Sequence, residues 1–276
     1  MRKPLEKLAR EGWEITLLSP DSTGAISVDA VREALREDTA LVTLMMVNNE
    51  TGAVTDIAGV ARALRAAKSR ALLHTDAVQG FMKEPFSAKT LGADMISVSG
   101  HKVHAPKGIG ALYIRQGLKL PAHILGGGQE DGLRSGTEPM PQIAAFGEAV
   151  RIAKAEMPEA NKRMEALRAQ CVQTLTDTVP DIVFLGGGST HILSLSLPGY
   201  RSEVLMNYLE AKGIYVSKSS ACKRGKRSHV LEAIGAPDKV IDGALRVSFS
   251  RYTTAEECAY FCEALAAARK ELYPSL

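Results

Sequence analysis

Ser97-Val-Ser-Gly-His-Lys102 is the stretch that decides the fold of this chain. It follows the apolar run 95–98, which is typical of the end of a buried strand, and it precedes a turn rich in proline and glycine at 103–110. A lysine at the end of a strand can hold its amine inside a pocket. There the partial loss of hydration lowers the pKa of the amine and makes it a nucleophile towards an aldehyde. The alternative is a surface lysine in a turn, and Lys102 alone does not decide between the two.

A second polar stretch, His74-Thr-Asp-Ala-Val-Gln79, also ends an apolar run and lies one β-α-β step before Lys102. Because parallel strands end at the same edge of a sheet, we expect Asp76 and Lys102 to lie close together. A carboxylate at this position suits the ring nitrogen of pyridoxal phosphate. The alternative is that Asp76 only caps the helix that follows.

The flanking sequence alternates strands and helices, which is typical of an open α/β sheet. Strands are predicted at 14–19 and over the nearly continuous apolar run 40–47, and an amphipathic helix at 57–68. A long helix is predicted over 142–178, with Pro158 marking a bend or break. Further short elements are expected as strands at 183–185, 191–197, 214–217 and 244–248 and helices at 202–212, 228–234 and 254–272. We predict a mostly parallel α/β large domain at 1–140, and a bridging helix with a small α+β domain at 141–276.

The composition limits the classes of function. The chain has 276 residues, of which 45% are hydrophobic and 24% charged, and these values are typical of a globular protein with a substantial core. A net charge of +3 does not favour a nucleic-acid partner, and no apolar run approaches the roughly 20 residues that would cross a membrane. The four cysteines form no CxxC pair, which favours a reducing cytoplasm, and no metal site is predicted.

Seven stretches resemble the class V aminotransferase family and, within it, the cysteine desulfurases of iron–sulfur cluster assembly. They occur in the order of the family and cover nearly the whole chain: Asn48-Asn-Glu-Thr-Gly52, His74-Thr-Asp-Ala-Val-Gln79, Ser97-Val-Ser-Gly-His-Lys102, Gly126-Gly-Gly-Gln-Glu130, Arg134-Ser-Gly-Thr137, Ser219-Ser-Ala-Cys222 and Leu245-Arg-Val-Ser-Phe-Ser-Arg251. The resemblance implies the large domain of a fold type I pyridoxal-phosphate enzyme, lacking its N-terminal part. That part would contain a phosphate-binding turn and a ring-stacking histidine. We therefore expect that the chain is a fragment, or is complemented by a second chain, and has little activity alone.

The resemblance also implies a role for each residue around the cofactor. Lys102 would hold pyridoxal phosphate covalently and later move a proton at the substrate Cα. Asn49 would orient the cofactor or the substrate near the phenolic oxygen, with a plain turn residue as the alternative. The other cofactor contacts would be Asp76 at the ring nitrogen, Gln79 at the phenolic oxygen, and Ser99 and His101 at the phosphate. Thr137 would reach the phosphate of the other subunit of a homodimer, with Arg134 bracing that interface. Arg246 would hold the α-carboxylate of the substrate, whereas Arg251 is expected to serve local structure.

Cys222 separates a desulfurase from an ordinary aminotransferase, because only the desulfurase needs a thiolate to attack the sulfur of L-cysteine. The products would be L-alanine and a persulfide on Cys222. Its surroundings are polar and basic, which favours the thiolate, and the basic residues are Lys218, Lys223, Arg224, Lys226 and Arg227. The sulfur would pass to an acceptor such as a cluster scaffold or a tRNA-thiolating enzyme. The alternatives are a selenocysteine lyase, a class V aminotransferase, or an inactive chain that acts only in dimerisation or partner binding.

Overall fold

The structure, a computed structural model, describes residues 2–218 and 227–274. The helices in these ranges are α1 (Arg2–Arg10), α2 (Val28–Ala34), α3 (Ile57–Ala66), α4 (Ala88–Leu91), α5 (Met140–Thr178), α6 (Ser202–Glu210), α7 (His229–Ala233), α8 (Asp238–Asp242) and α9 (Ala255–Glu271). The strands are β1 (Leu41–Met45), β2 (Leu72–Asp76), β3 (Met95–Ser99), β4 (Gly110–Ile114), β5 (Val183–Leu185), β6 (Ile192–Ser196), β7 (Ser217–Lys218) and β8 (Ala244–Ser248). The α/β class predicted from the sequence is confirmed.

The first sheet has the order β1-β2-β3-β4, and its first three strands are parallel. Only β4 runs antiparallel, against β3. Strands β1 to β3 are rich in Val, Leu and Ile, and their apolar side chains pack in one core with those of α3. The parallel direction brings the carboxyl ends of β2 and β3 to the same edge of the sheet, where the polar stretches of the sequence begin.

The second sheet is antiparallel, with the order β5-β6-β8-β7. Every residue of β6 is buried, because α5 and α9 cover this sheet and share a core with it. Most apolar residues of the second sheet thus lie in a different cluster from those of the first, but Ile192 of β6 packs in the cluster of the first sheet. The boundary that we predict at residue 140 stays a prediction, although α5 begins at that residue.

The strand expected at 14–19 is absent, and of the strand expected at 214–217 only Ser217 lies in β7. Residues 14–19 form no strand, although their composition favours one. A strand is stabilised by hydrogen bonds to a neighbouring strand. Strand β1 is the edge strand of the first sheet, and in the described part of the chain it pairs only with β2, so residues 14–19 have no strand partner. Helix α5 is continuous through Pro158, so the expected break is absent, and the alternative of a bend stays a prediction. Pro158 and Lys154 are both exposed, so water can satisfy the carbonyl that loses its helical partner.

Helix α5 connects the two sheets and reaches the Lys102 segment. It contacts both α9 and the one-turn helix that carries Lys102. Its buried positions from Ala149 to Leu175 are spaced by three, four or seven residues, so one face is apolar and the other is hydrated. Across residues 2–218 and 227–274, neither α5 nor any other helix combines the length and the apolar character that a membrane crossing requires.

Candidate active site

Strands β2 and β3 place Asp76 and Lys102 at one edge of the first sheet. Asp76 is the last residue of β2 and lies in register with Ser97 of β3. Strand β3 ends at Ser99, and the one-turn 3₁₀ helix Gly100–Val103 follows at once and carries Lys102. The Val78 amide donates to Asp76 Oδ1 at 3.0 Å, which fixes the carboxylate at the tip of its strand. The structure thus brings these two predicted site residues to the same edge.

His74 ties the three parallel strands together just before Asp76. Its Nδ1 lies 2.7 Å from Thr43 Oγ1 in β1, and its Nε2 lies 2.9 Å from Ser97 Oγ in β3. Burial lowers the pKa of His74, and the nearby carboxylate of Asp76 opposes that shift. Because residues i and i+2 of a strand share a face, this bridge supports the side of the sheet on which Asp76 lies.

Lys102 lies half-buried in a cleft between the first sheet, α5 and the second sheet. The cleft has a volume of about 210 Å³. Of the predicted site residues, those that line it are Gln79, His101, Lys102 and Arg246. Burial lowers the pKa of the Lys102 amine, and the positive charge of Arg246 lowers it further. A larger fraction of the amine is therefore unprotonated and nucleophilic than at an exposed lysine.

Ser99 and His101 lie on either side of the Gly100 backbone and contact each other. Ser99 Oγ and His101 Nδ1 are 2.7 Å apart. The His101 ring is on the exposed side of the one-turn helix, and Ser99 is half-buried at the end of β3. Hydroxyl and imidazole groups placed together can donate to one anion, which is compatible with the phosphate role that the resemblance implies.

Arg246 links the second sheet to the loop that follows β1. Its Nη1 donates to the Asn49 carbonyl at 2.9 Å and its Nη2 to Ser217 Oγ at 3.3 Å. Glu50, next to Asn49, is buried and accepts a hydrogen bond from Ser228 Oγ. Burial raises the pKa of Glu50, while Ser228 and the Arg246 charge act against the rise. The loop after β1 is thus linked to Ser217 through Arg246 and directly to Ser228. These two serines lie before and after the segment of the sequence that contains Cys222.

Two residues of the cleft were not recognised in the sequence. Lys83 follows β2 in a tight turn, and its ammonium donates to the Lys102 carbonyl at 2.8 Å. His191 immediately precedes β6 and is only 3% exposed, and neither ring nitrogen has a hydrogen-bond partner among the described residues. Burial lowers the pKa of His191 to about 3, and the charges of Lys83 and Lys102 add to the shift. Since tertiary packing alone buries these side chains, no local sequence signal could have identified them.

The buried neutral ring of His191 makes a pH-dependent contribution to stability. Its folded-state pKa lies below the ordinary value of 6.5, so the unfolded state takes up the proton first as the pH falls. When the pH falls from 7 to 4.5, the parent should lose roughly 2–3 kcal/mol of unfolding free energy through His191, and His191→Leu should not show this loss. Urea denaturation at each pH measures this, with His123→Leu at an exposed position as the control. A constant difference between His191→Leu and the parent across this range would contradict the buried neutral ring.

Asn49, Asp76 and Ser99 are not among the residues that line the cleft, and three further predicted residues lie away from it or outside the described residues. Thr137 is exposed in the loop before α5, and Arg134 in the same loop donates to the Ser135 carbonyl at 3.0 Å. Neither lines the cleft of its own chain. Cys222 lies outside the described residues, so its predicted position is not tested.

Two of the five basic residues expected to favour the Cys222 thiolate are engaged by carboxylates. Lys218 Nζ lies 3.0 Å from Glu203 Oε1. Arg227 contacts both Asp238 and Asp242, at 2.6 and 2.7 Å. These pairs offset part of the positive potential at each end of the segment. Any stabilisation of the thiolate therefore depends more on the basic residues within the segment than the sequence alone suggested.

The chain matches a family model and several curated proteins. The aminotransferase class-V model matches residues 2–261. A protein named cysteine desulfurase 2 from Trichormus variabilis is 41% identical over 257 residues, which are 91% of this chain and 64% of that protein. The cysteine desulfurase IscS of Serratia proteamaculans is 42% identical over 262 residues, 92% of this chain and 63% of that protein. The chain thus spans slightly less than two thirds of the length of these relatives.

Solved structures give the same likeness. One described as a NifS-like protein superposes with a TM-score of 0.90 at 36% identity, over 98% of this chain and 72% of that one. The structure of DndA from Streptomyces lividans superposes with a TM-score of 0.75 at 38% identity, over 90% of this chain and 71% of that one. The overall fold is therefore shared with these proteins.

Proposed function

Because this chain belongs to the class V aminotransferase family, we propose that it takes sulfur from L-cysteine with the help of pyridoxal phosphate, giving L-alanine and a persulfide on Cys222. One observation carries the proposal: Lys102 and Arg246 line a single cleft at the sheet edge where Asp76 ends β2. Members of this family depend on pyridoxal phosphate. The curated relatives named cysteine desulfurases, at 41–42% identity, support the choice of substrate.

The residues of the cleft fit pyridoxal phosphate. When bound, the cofactor supplies an aldehyde that reacts with amines and a ring that accepts electrons released at the substrate Cα. The Lys102 amine, with its lowered pKa, is suited to hold the aldehyde. Asp76 is fixed at the tip of β2 and suits the ring nitrogen. The remaining cofactor contacts in this proposal are Asn49, Gln79, Ser99 and His101, with Thr137 serving the other subunit of a homodimer.

Lys102 and Arg246 have separate tasks in the reaction. Lys102 would be the base that takes and returns a proton at the substrate Cα. Arg246 offers a guanidinium whose planar fork can bind the substrate carboxylate with two parallel hydrogen bonds. Its contacts with the Asn49 carbonyl and Ser217 hold the guanidinium in the cleft, between the loop after β1 and the second sheet. The substrate would then lie between the two sheets, with its carboxylate towards β8.

Cys222 supplies the step that distinguishes this function from transamination. Its thiolate would attack the substrate sulfur, forming a sulfur–sulfur bond while the substrate carbon–sulfur bond breaks. The carbon fragment takes a proton and leaves as alanine, and the persulfide remains on the enzyme. We propose that a sulfur-acceptor protein, such as a cluster scaffold, then removes the sulfur. The described cysteines are all free thiols, which supports a reducing compartment such as the cytoplasm.

The proposal is tested by following both products. The protein in the form in which it occurs in its natural source (the natural protein) is supplied with pyridoxal phosphate, L-cysteine and a reducing thiol. It should release sulfide and alanine in equal amounts. An aminotransferase would instead form a keto acid from the amino acid and release no sulfide. A selenocysteine lyase would act on selenocysteine and leave L-cysteine unchanged. Either of these results would contradict cysteine desulfuration.

Arg246→Met should weaken the binding of L-cysteine. Losing a charge-assisted, two-point contact with the carboxylate is expected to raise KM for L-cysteine by about 30-fold or more, with a smaller fall in kcat. Steady-state rates of alanine formation measure both constants. Arg251→Met is the matched control, because Arg251 lines the same cleft but is paired with Glu156 at 3.3 Å. A larger rise in KM for the Arg251 variant would reverse the assignment of the two arginines.

A further inference from the structure

Lys83 is a lysine inside the cleft with no acidic partner. Its amine lies among the cleft residues, and in the described ranges no carboxylate forms an ion pair with it. Burial lowers the pKa of Lys83 to about 8, and the neighbouring charge of Lys102 contributes to the shift. A cation that is partly buried without a carboxylate loses hydration at a cost, so a feature of this kind needs a specific reason.

The contact made by the Lys83 ammonium is with the backbone of Lys102. The Lys102 carbonyl lies at the end of the one-turn helix Gly100–Val103, where helical carbonyls lack partners. Lys83 Nζ donates to this carbonyl at 2.8 Å. The hydrogen bond therefore fixes the peptide unit from which the Lys102 side chain projects.

Lys83 is itself held from the opposite side. Asn161 Nδ2, on α5, donates to the Lys83 carbonyl at 2.6 Å. The Lys83 amide donates to the Gly80 carbonyl at 3.0 Å, which closes the turn after β2. Three segments are thus connected in series: α5, the turn after β2, and the one-turn helix of Lys102.

We propose that Lys83 is a positioning residue for Lys102: Asn161 anchors the Lys83 backbone, and the Lys83 ammonium holds the Lys102 backbone so that the Lys102 amine faces the cleft. The inference rests on the proposed function, in which Lys102 holds pyridoxal phosphate. It adds a residue that touches neither cofactor nor substrate and that acts through Lys102. A charged donor makes a stronger hydrogen bond than a neutral amine, so the hold is firm when Lys83 is protonated and weakens above about pH 8.

Other charged groups of the cleft surround this contact. They are His101, Lys102 and His104 on and after the one-turn helix, Glu156 on α5, His191 before β6, and Arg246 and Arg251 on and after β8. His191 stays neutral at the relevant pH, and Glu156 is paired with Arg251. Because all of these groups remain in place when Lys83 is replaced, their own titration is common to the parent and the variant. The Lys83 charge also acts on the Lys102 amine. Asn161→Ala keeps that charge and removes only the anchor of the Lys83 backbone, so it separates the backbone hold from the effect of the charge.

The test follows the covalent attachment of pyridoxal phosphate to Lys102 rather than turnover. The cofactor is added to the cofactor-free natural protein, absorbance gives the attachment rate, and borohydride reduction with peptide mapping identifies the lysine. At pH 7 we expect Lys83→Met to attach the cofactor about tenfold more slowly, the loss expected for one hydrogen bond from a charged donor. The difference in attachment rate between Lys83→Met and the parent should become smaller above pH 8, where Lys83 of the parent loses its proton. Lys83→Arg should recover most of the rate, and Lys89→Met at an exposed position should match the parent.

The outcomes separate this inference from the proposed function. A parent protein that attaches no cofactor at Lys102 overturns both. Attachment at Lys102 in the parent with an equal rate in Lys83→Met at pH 7, or with a deficit that does not change with pH, overturns the positioning role alone. If Lys83→Met fails to fold, Asn161→Ala tests the other end of the link, and slower attachment supports the role. An unchanged rate in a folded Asn161→Ala protein contradicts it.

Discussion

Lys102→Ala should abolish covalent attachment of pyridoxal phosphate and lower desulfuration by at least about a thousandfold, while leaving the fold intact. The expectation follows from the position of the amine: it lies at the edge where β2 and β3 end, half-buried beside Arg246, with a lowered pKa. Alanine removes both the group that holds the cofactor aldehyde and the base that acts at the substrate Cα. The one-turn helix should survive, because its backbone contacts do not involve the Lys102 side chain.

The measurement combines the visible absorbance of the natural protein with the site of borohydride-trapped cofactor. The parent should be yellow and carry reduced cofactor on Lys102, and the variant should be colourless and carry none. Lys107→Ala is the control, because Lys107 is exposed in the turn of the same segment. Reduced cofactor on Lys107, or on any lysine other than Lys102, would show that the active-site assignment is wrong.

The edge of the sheet could be predicted because its signals are local. The apolar runs that become β2 and β3 end at polar residues, and the parallel direction of such strands brings their ends together. Asp76 and Lys102 were therefore identifiable from their positions in the chain. The register of the strands, with Asp76 opposite Ser97, agrees with that expectation.

The supporting residues could not be predicted because their environment comes from distant segments. Lys83 lies in a turn whose sequence is compatible with an exposed lysine, and only α5 and the Lys102 helix bury it. The environment of Glu50 also comes from a distant segment, because its hydrogen-bond partner Ser228 follows α5 and β6 in the chain. Conversely, residues 14–19 have strand composition but no strand neighbour in the described chain. Local propensity fails wherever the decisive contact is distant in sequence.

Cys222→Ser should separate cofactor chemistry from sulfur transfer. Serine has nearly the size of cysteine, but its hydroxyl stays protonated and cannot replace a thiolate as the acceptor of sulfur. The variant should still bind pyridoxal phosphate through Lys102 and still change its absorbance when L-cysteine is added. Release of sulfide and alanine should fall by at least about a thousandfold, and mass spectrometry should detect no persulfide.

The matched control is Cys171→Ser, because Cys171 is a free thiol buried on α5 in the core of the second sheet. Its replacement should lower the free energy of unfolding by about 1–3 kcal/mol, since the buried hydroxyl needs a hydrogen-bond partner, yet persulfide should still form on Cys222. Desulfuration at the parental rate in Cys222→Ser would show that the sulfur leaves without an enzyme thiolate, which is the reaction of a lyase.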